Sequence, residues 1–214
     1  MEKKKRRCQT MGEEIANSVS HGVGALLALV GAVILIDRGA ATGSGKTMAS
    51  LTAYGVSLVL LYTASAVYHA VRNERIKAWL RVMDHCSIFG LILGTYIPMS
   101  LLVIGGRTGW LLFLTNTTLA VIGIILTTID LKRFDKFNLV LYALMGWLVV
   151  IAMKTVVAAM TPLETALLVA GGVAYTVGII FFRSKRHYMH FVWHLFVLTG
   201  SVLQYMSIVL SCLQ

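Results

Sequence analysis

"HYMHFVWHLFVLTGSVLQYMSIVLSCLQ", residues 187–214, contains no Asp, Glu, Lys or Arg, yet it opens on three histidines, His187, His190 and His194. A run this long and apolar is fit to cross a bilayer as a helix, which takes roughly 20 apolar residues. Imidazoles at the mouth of such a run need partners, because water is scarce there.

The remainder of the chain is built in the same way. Of its 214 residues, 57% are apolar and 13% charged, a composition outside the range of soluble domains. Cutting the sequence at its charges leaves seven long stretches: 15–36, 47–71, 85–106, 108–129, 137–153, 165–182 and 187–214. None alternates apolar with polar residues as a membrane barrel strand does, and irregular backbone in lipid leaves costly unpaired amides. The predicted fold is therefore an all-α integral membrane protein, a bundle of seven transmembrane helices. Connections such as "IGGRTG" are too short for a second domain, so residues 1–214 are expected to form one membrane domain with 1–12 as a basic tail. The first apolar run is too long for a secretory signal and lacks a small-residue cleavage pattern.

Basic residues favour the cytoplasmic side of a membrane, and their distribution here is lopsided. Lys3, Lys4, Lys5, Arg6 and Arg7 lie in the tail, Arg72, Arg75, Lys77 and Arg81 in the second connection, Lys132, Arg133 and Lys136 in the fourth, and Arg183, Lys185 and Arg186 in the sixth. Only Arg38, Lys46, Arg107 and Lys154 fall on the other side. This predicts a cytoplasmic N-terminus and an external C-terminus in a multi-pass protein of the cell (inner or plasma) membrane. The net charge of +10 is then a topology signal and an attraction to anionic headgroups, and no nucleic-acid partner is needed to explain it. Cys8, Cys86 and Cys212 show no CxxC spacing, so neither a disulfide framework nor a thiolate metal site is expected. Pro98 should kink the third helix, and Pro162 suits the start of the sixth.

With that topology, the polar residues inside the helices fall into one layer near the cytoplasmic face. Glu13, Glu14, Asn17 and His21 stand at the start of the first helix, with Glu13, Asn17 and His21 spaced i, i+4, i+8 on one face. Ser65 and His69 end the second, Asp84 follows Arg81 at the start of the third, and His190 and His194 begin the seventh. His190 and His194 at i, i+4 can hold one metal ion, with His69 as the third ligand; three imidazoles and a water make the open arrangement of catalytic zinc. Asp84 would orient that water, take its proton or bond a ligand imidazole, and Ser65 would bond the ligand set or a carbonyl. Each has a plainer reading. His21, His85 and His187, taken singly, read as interfacial anchors; Asp84 would equally pair with Arg81 or cap its helix; Trp79, Trp110 and Tyr188 read as interfacial belt residues.

These residues carry a resemblance. The chain is similar to the hemolysin III family, the bacterial branch of the progestin and adipoQ receptor family. The motif E-x(2,3)-N-x3-H stands as Glu13 or Glu14, Asn17 and His21; S-x3-H as Ser65 and His69; H-x3-H as His190 and His194. The resemblance implies seven helices, a zinc ion held by His69, His190 and His194, and an aspartate at Asp84 bonded to the zinc water. It also implies a role in membrane lipid homeostasis, with lipids or a fatty acid as partners. Three functions follow as expectations: a ceramidase-like zinc hydrolase of lipid amides or esters; a non-enzymatic lipid sensor with structural zinc; and, weakest on physical grounds, a haemolytic pore, since the outer halves of the helices offer no continuous polar path.

Overall fold

The structure is a computed structural model describing residues 9–213; the tail cations Lys3, Lys4, Lys5, Arg6 and Arg7, with Cys8, lie outside the described residues. All regular structure among the described residues is helical: α1 (Met11–Ala41), α2 (Gly45–Ala70), α3 (Glu74–Pro98), α4 (Gly106–Trp147), α5 (Met153–Ala159), α6 (Pro162–Arg183) and α7 (Met189–Cys212). Among the described residues, six helical segments are long and apolar enough to cross a membrane, the fourth being the 54 residues Gly106–Ala159. The protein is thus a multi-pass membrane protein.

Helix ends are set by side chains rather than by where the charges lie. Thr10 and Glu13 form a capping box at α1, Thr161 and Glu164 form another at α6 with Pro162 in the first turn, and the Asn73 side chain accepts from the amides of Arg75 and Ile76 at α3. Each satisfies amides that have no partner in the helix. The helices therefore run past the charge-free stretches, and α3 begins ten residues before Asp84. That position overturns the reading of Asp84 as a cap. Beyond Pro98, which cannot donate to the helical ladder, the backbone widens into a π-helical stretch, Met99–Ile104, closed by a glycine turn in which Gly105 has φ 61° and Gly106 φ 52°.

The 54-residue segment is not straight. Asp130 leaves helical geometry (φ −159°, ψ 92°) and its carboxylate accepts from the Arg133 amide. Beyond it the chain doubles back: the Asn116 amide donates to the Met145 carbonyl at 3.3 Å and the Asn138 amide to Thr127 at 2.9 Å. In a straight helix residues 116 and 145 would be roughly 43 Å apart at a 1.5 Å rise. The two arms of α4, 106–129 and 131–147, therefore lie against each other.

Packing is inverted relative to a soluble bundle. The inward face of α1 is mostly small or polar, Glu13, Asn17, Ser20, His21, Gly24, Ala28, Ala32 and Gly39 with Leu35, while Leu26, Leu27 and Val30 point outwards, all at least 60% exposed. Lipid tails are as apolar as leucine, so small and polar residues mark the helix contacts. Gly94 of α3 meets Ser57 of α2, and Gly123 of α4 faces the ring of Phe89 so closely that a Cβ there would overlap it. Phe89 is fully buried. Gly123→Ala is expected to cost about 1–3 kcal/mol through overpacking, lowering the thermal midpoint of the detergent-solubilised protein, and Phe89→Leu should recover part of that loss.

Candidate metal centre

The last turn of α2 and the first two turns of α7 bring three imidazoles together. The ring centroids of His69 and His190 are 5.2 Å apart, those of His69 and His194 5.1 Å, and those of His190 and His194 4.8 Å. One nitrogen from each lies within 4.8 Å of the others. His69 and His194 are buried and His190 is half-buried.

The outward nitrogens are held by α1. His69 Nδ1 bonds a Glu14 carboxylate oxygen at 2.7 Å, and the other oxygen of Glu14 takes Lys77 at 2.8 Å. His194 Nδ1 faces the Asn17 carbonyl at 3.3 Å and the Ser20 hydroxyl at 3.2 Å, while Ser20 donates to the same carbonyl. A carbonyl only accepts, so His194 carries its proton on Nδ1, which leaves Nε2 as the lone-pair nitrogen of that ring. His69 Nε2 is buried with no hydrogen-bond partner. A buried lone pair without a donor is rare and costly, and a shared cation would satisfy it together with its two neighbours. The donor set fits: three neutral imidazoles suit zinc, and outer groups that fix the tautomer are the usual accompaniment of histidine ligands.

The start of α7 is set by an unusual contact. Tyr188 adopts the left-handed region (φ 59°, ψ 5°), uncommon for a residue with a side chain, and its amide donates to a Glu13 oxygen at 2.8 Å. Glu13 and Glu14 thus have separate tasks, one on the entry to α7 and the other on His69.

The other residues singled out from the sequence divide. His21 is buried rather than interfacial: its ring stacks on His194 at 3.6 Å and meets Tyr62 edge-on at 5.1 Å, and neither of its nitrogens has a hydrogen-bond partner. Ser65 is buried one turn before His69. The Asp84 carboxylate lies 3.7 Å from His85 Nδ1 and is not among the groups sharing the 4.8 Å space. His187 has a largely exposed side chain 3.7 Å from Glu13. No spacing in the sequence pointed to Lys77 or to the strained Tyr188, which reach the site only through tertiary contacts.

Beside the histidines lies a cavity of about 120 Å³ between α2, α3, the second arm of α4, α6 and α7, with mostly apolar walls. Phe182 and Trp193, 5.4 Å apart, stand on its wall, and Phe182 is 5.9 Å from His190.

Comparison with known proteins places this geometry in context. Residues 9–205 match the family described as Haemolysin-III related. The chain is 38% identical to Hemolysin-3 of Bacillus cereus, covering 97% of this chain and 95% of that one, and 37% identical to the Hemolysin-3 homolog of Bacillus subtilis (strain 168), covering 96% and 97%. It is 29% identical to the human monocyte to macrophage differentiation factor, over 93% of this chain and 84% of the other. No solved structure matches the chain.

The Glu13–Tyr188 contact is open to test. Glu13→Ala removes a buried acceptor and should destabilise the protein by about 1–3 kcal/mol, read as a lower thermal midpoint, whereas Tyr188→Asn, with a residue that tolerates the left-handed region, should be nearly neutral.

Proposed function

The chain belongs to the haemolysin-III-related family, and from that premise we propose that it is a seven-pass membrane protein holding zinc on His69, His190 and His194 and hydrolysing a lipid amide or ester as part of membrane lipid homeostasis. The doubling back at Asp130 supports counting Gly106–Ala159 as two passes. The basic residues of the second, fourth and sixth connections then share one side with the N-terminus, which the charge rule assigns to the cytoplasm. Residues 1–214 form a single domain in this reading.

One observation carries the metal: three imidazole nitrogens within 4.8 Å of one another, with the inward nitrogen of buried His69 left without any other partner. Zinc bound by three histidines supplies Lewis acidity and makes a water proton easy to remove near neutral pH. The work of the chain's own residues is orientation and proton transfer. Glu14 and the Asn17 carbonyl hold the rings in the ligating tautomer; Ser65, on the His69 face of α2, bonds the substrate carbonyl; Asp84 accepts the proton after leaving His85. Membrane lipid reaches the centre from the adjoining apolar cavity, whose wall at Phe182 is shared with His190.

A second reading makes the zinc structural and the protein a lipid sensor. It is favoured by the position of Asp84, beside His85 and apart from the histidine group.

Elemental analysis of protein prepared without chelators should find one zinc per chain. His69→Ala and His194→Ala should lose it, Glu14→Ala should weaken metal affinity by about 10–100-fold, and His187→Ala should change nothing. Mass spectrometry of lipid extracts incubated with wild type and Asp84→Ala separates the two readings: a hydrolase loses product formation while keeping its zinc, whereas a sensor forms no product in either protein. Absence of zinc from the wild type would remove both.

A further inference from the structure

Gln204 brings a carboxamide into the apolar part of the bundle. It stands 14 residues beyond His190 on α7, about 21 Å along the helix axis, and is half-buried. Its stem crosses α6 at Gly171, where a Cβ would overlap the Cγ of Gln204. The missing side chain at 171 lets Gln204 reach the cavity that adjoins the histidines and a second, smaller one of about 30 Å³ beyond it. Tyr96, Trp147, Gly172 and Gln204 line both, so Gln204 stands at their junction.

A carboxamide carries two donors and an acceptor oxygen, and among the described residues none of the three has a hydrogen-bond partner. The hydroxyls around it are engaged elsewhere. Tyr96 donates to the Gly146 carbonyl at 3.1 Å and accepts from the Val149 amide at 2.7 Å. Thr176 donates to the Gly172 carbonyl at 2.8 Å and accepts from the Trp147 indole at 3.0 Å, and Thr95 donates to the Leu91 carbonyl at 2.9 Å. An unpaired carboxamide at this depth is costly, and a methionine or leucine would fill the same place without that cost. Its use lies in what the cavity receives.

We infer that the cavity takes a hydrocarbon chain bearing a hydroxyl at its far end, held by Gln204. A hydroxyl donates one bond and accepts another, and the oxygen and nitrogen of one carboxamide supply both. A plain chain leaves Gln204 unpaired, and a carboxylate at that depth would be a buried charge. The polar head of the ligand lies at the other end of the cavity, where Phe182 precedes the basic residues Arg183, Lys185 and Arg186. The rise from His190 to Gln204 is close to the extended length of a palmitoyl chain. The inference deepens the reading of the protein as a lipid-handling one and rests on it, but needs neither zinc nor hydrolysis.

The test titrates the full-length protein in phosphatidylcholine nanodiscs with palmitate, ω-hydroxypalmitate and α-hydroxypalmitate, reading the fluorescence of Trp147 and Trp193, which both line the cavity. Palmitate and its ω-hydroxy form share a head, so any attraction of that head to a metal cancels between them. Wild type should bind ω-hydroxypalmitate about three- to tenfold more tightly than palmitate, the size of one neutral hydrogen bond, with α-hydroxypalmitate close to palmitate. Gln204→Met keeps the length of the side chain but cannot pair the hydroxyl, so it should reverse the preference and bind palmitate no more weakly than wild type does. Its ligand-free thermal midpoint should not fall, since no bond within the protein is lost; Gln204→Leu gives the same comparison should methionine disturb folding. Equal binding of palmitate and ω-hydroxypalmitate by wild type, the same ω-hydroxyl preference in the Gln204 variants, or an equal gain from the α-hydroxyl would overturn the inference and leave the lipid-handling reading standing. No binding of any of the three removes both. An ω-hydroxyl preference in protein that forms no product from lipid extracts supports the inference and sinks the hydrolase reading alone.

Discussion

Each imidazole buried in a membrane protein brings two nitrogens into a medium with almost no water to satisfy them, and the arrangement of α1, α2 and α7 follows from how these nitrogens are met. The outward nitrogens of His69 and His194 are taken up by Glu14 and by the Asn17 carbonyl, so α1 behaves as a scaffold laid along the back of the cluster. The inward nitrogen of His69 has no such answer from the protein. His21 is the extreme case, stacked on one histidine with neither nitrogen bonded. Four rings packed this way give the region between α1, α2 and α7 a dense set of lone pairs, the electronic character that attracts a cation and disfavours lipid.

Such a cluster persists only if its helices cannot slide past one another. Two features away from the histidines provide this. In the middle of the bundle the Tyr62 hydroxyl donates to Ser201 at 2.7 Å and Tyr175 bonds the same oxygen at 2.7 Å, tying α2, α6 and α7 at one level. Between α1 and α2, Gly55 faces Ala32 at backbone distance and Gly24 faces the Tyr62 ring. Small residues bring the helices close enough for short side chains such as Ser18, which donates to the Ala66 carbonyl, and Ser20, which meets His194, to reach across. The stripe on α1 changes from polar at its start to small further along, and these are the two parts of one function: close approach along the length, ring orientation at the end.

Much of this was legible in the letters, and what was not has specific causes. Apolar length betrayed the membrane, and i, i+4 spacing marked His190 with His194 and Glu13, Asn17 and His21 as helix-face sets, because an α-helix repeats every 3.6 residues whatever surrounds it. Helix boundaries were drawn at charges, yet Glu13, Glu14, Asp84 and Glu164 sit inside helices, since a capping box or a buried partner makes a carboxylate acceptable there. His21 taken alone resembled an interfacial anchor because depth along the chain does not tell which way a ring faces. The division of labour between Glu13 and Glu14 was beyond any one-dimensional reading: it depends on a left-handed residue at 188 and on Lys77 arriving from another connection.

The irregularity in α3 is confined to one end of the helix. Pro98 removes a ladder hydrogen bond, and the helix answers with a π-helical stretch and a glycine turn. Asp84 and His85 lie 13–14 residues earlier, about 20 Å along the axis, in a part of α3 with unbroken helical geometry. Strain is thus confined to the end remote from the histidines, and the near end stays regular enough to present two adjacent residues with fixed bearings. Of these two residues only His85 lines the cavity, and the Asp84 carboxylate stays 3.7 Å from the His85 ring. A bend at Pro98, about 20 Å away along the axis, leaves both in place.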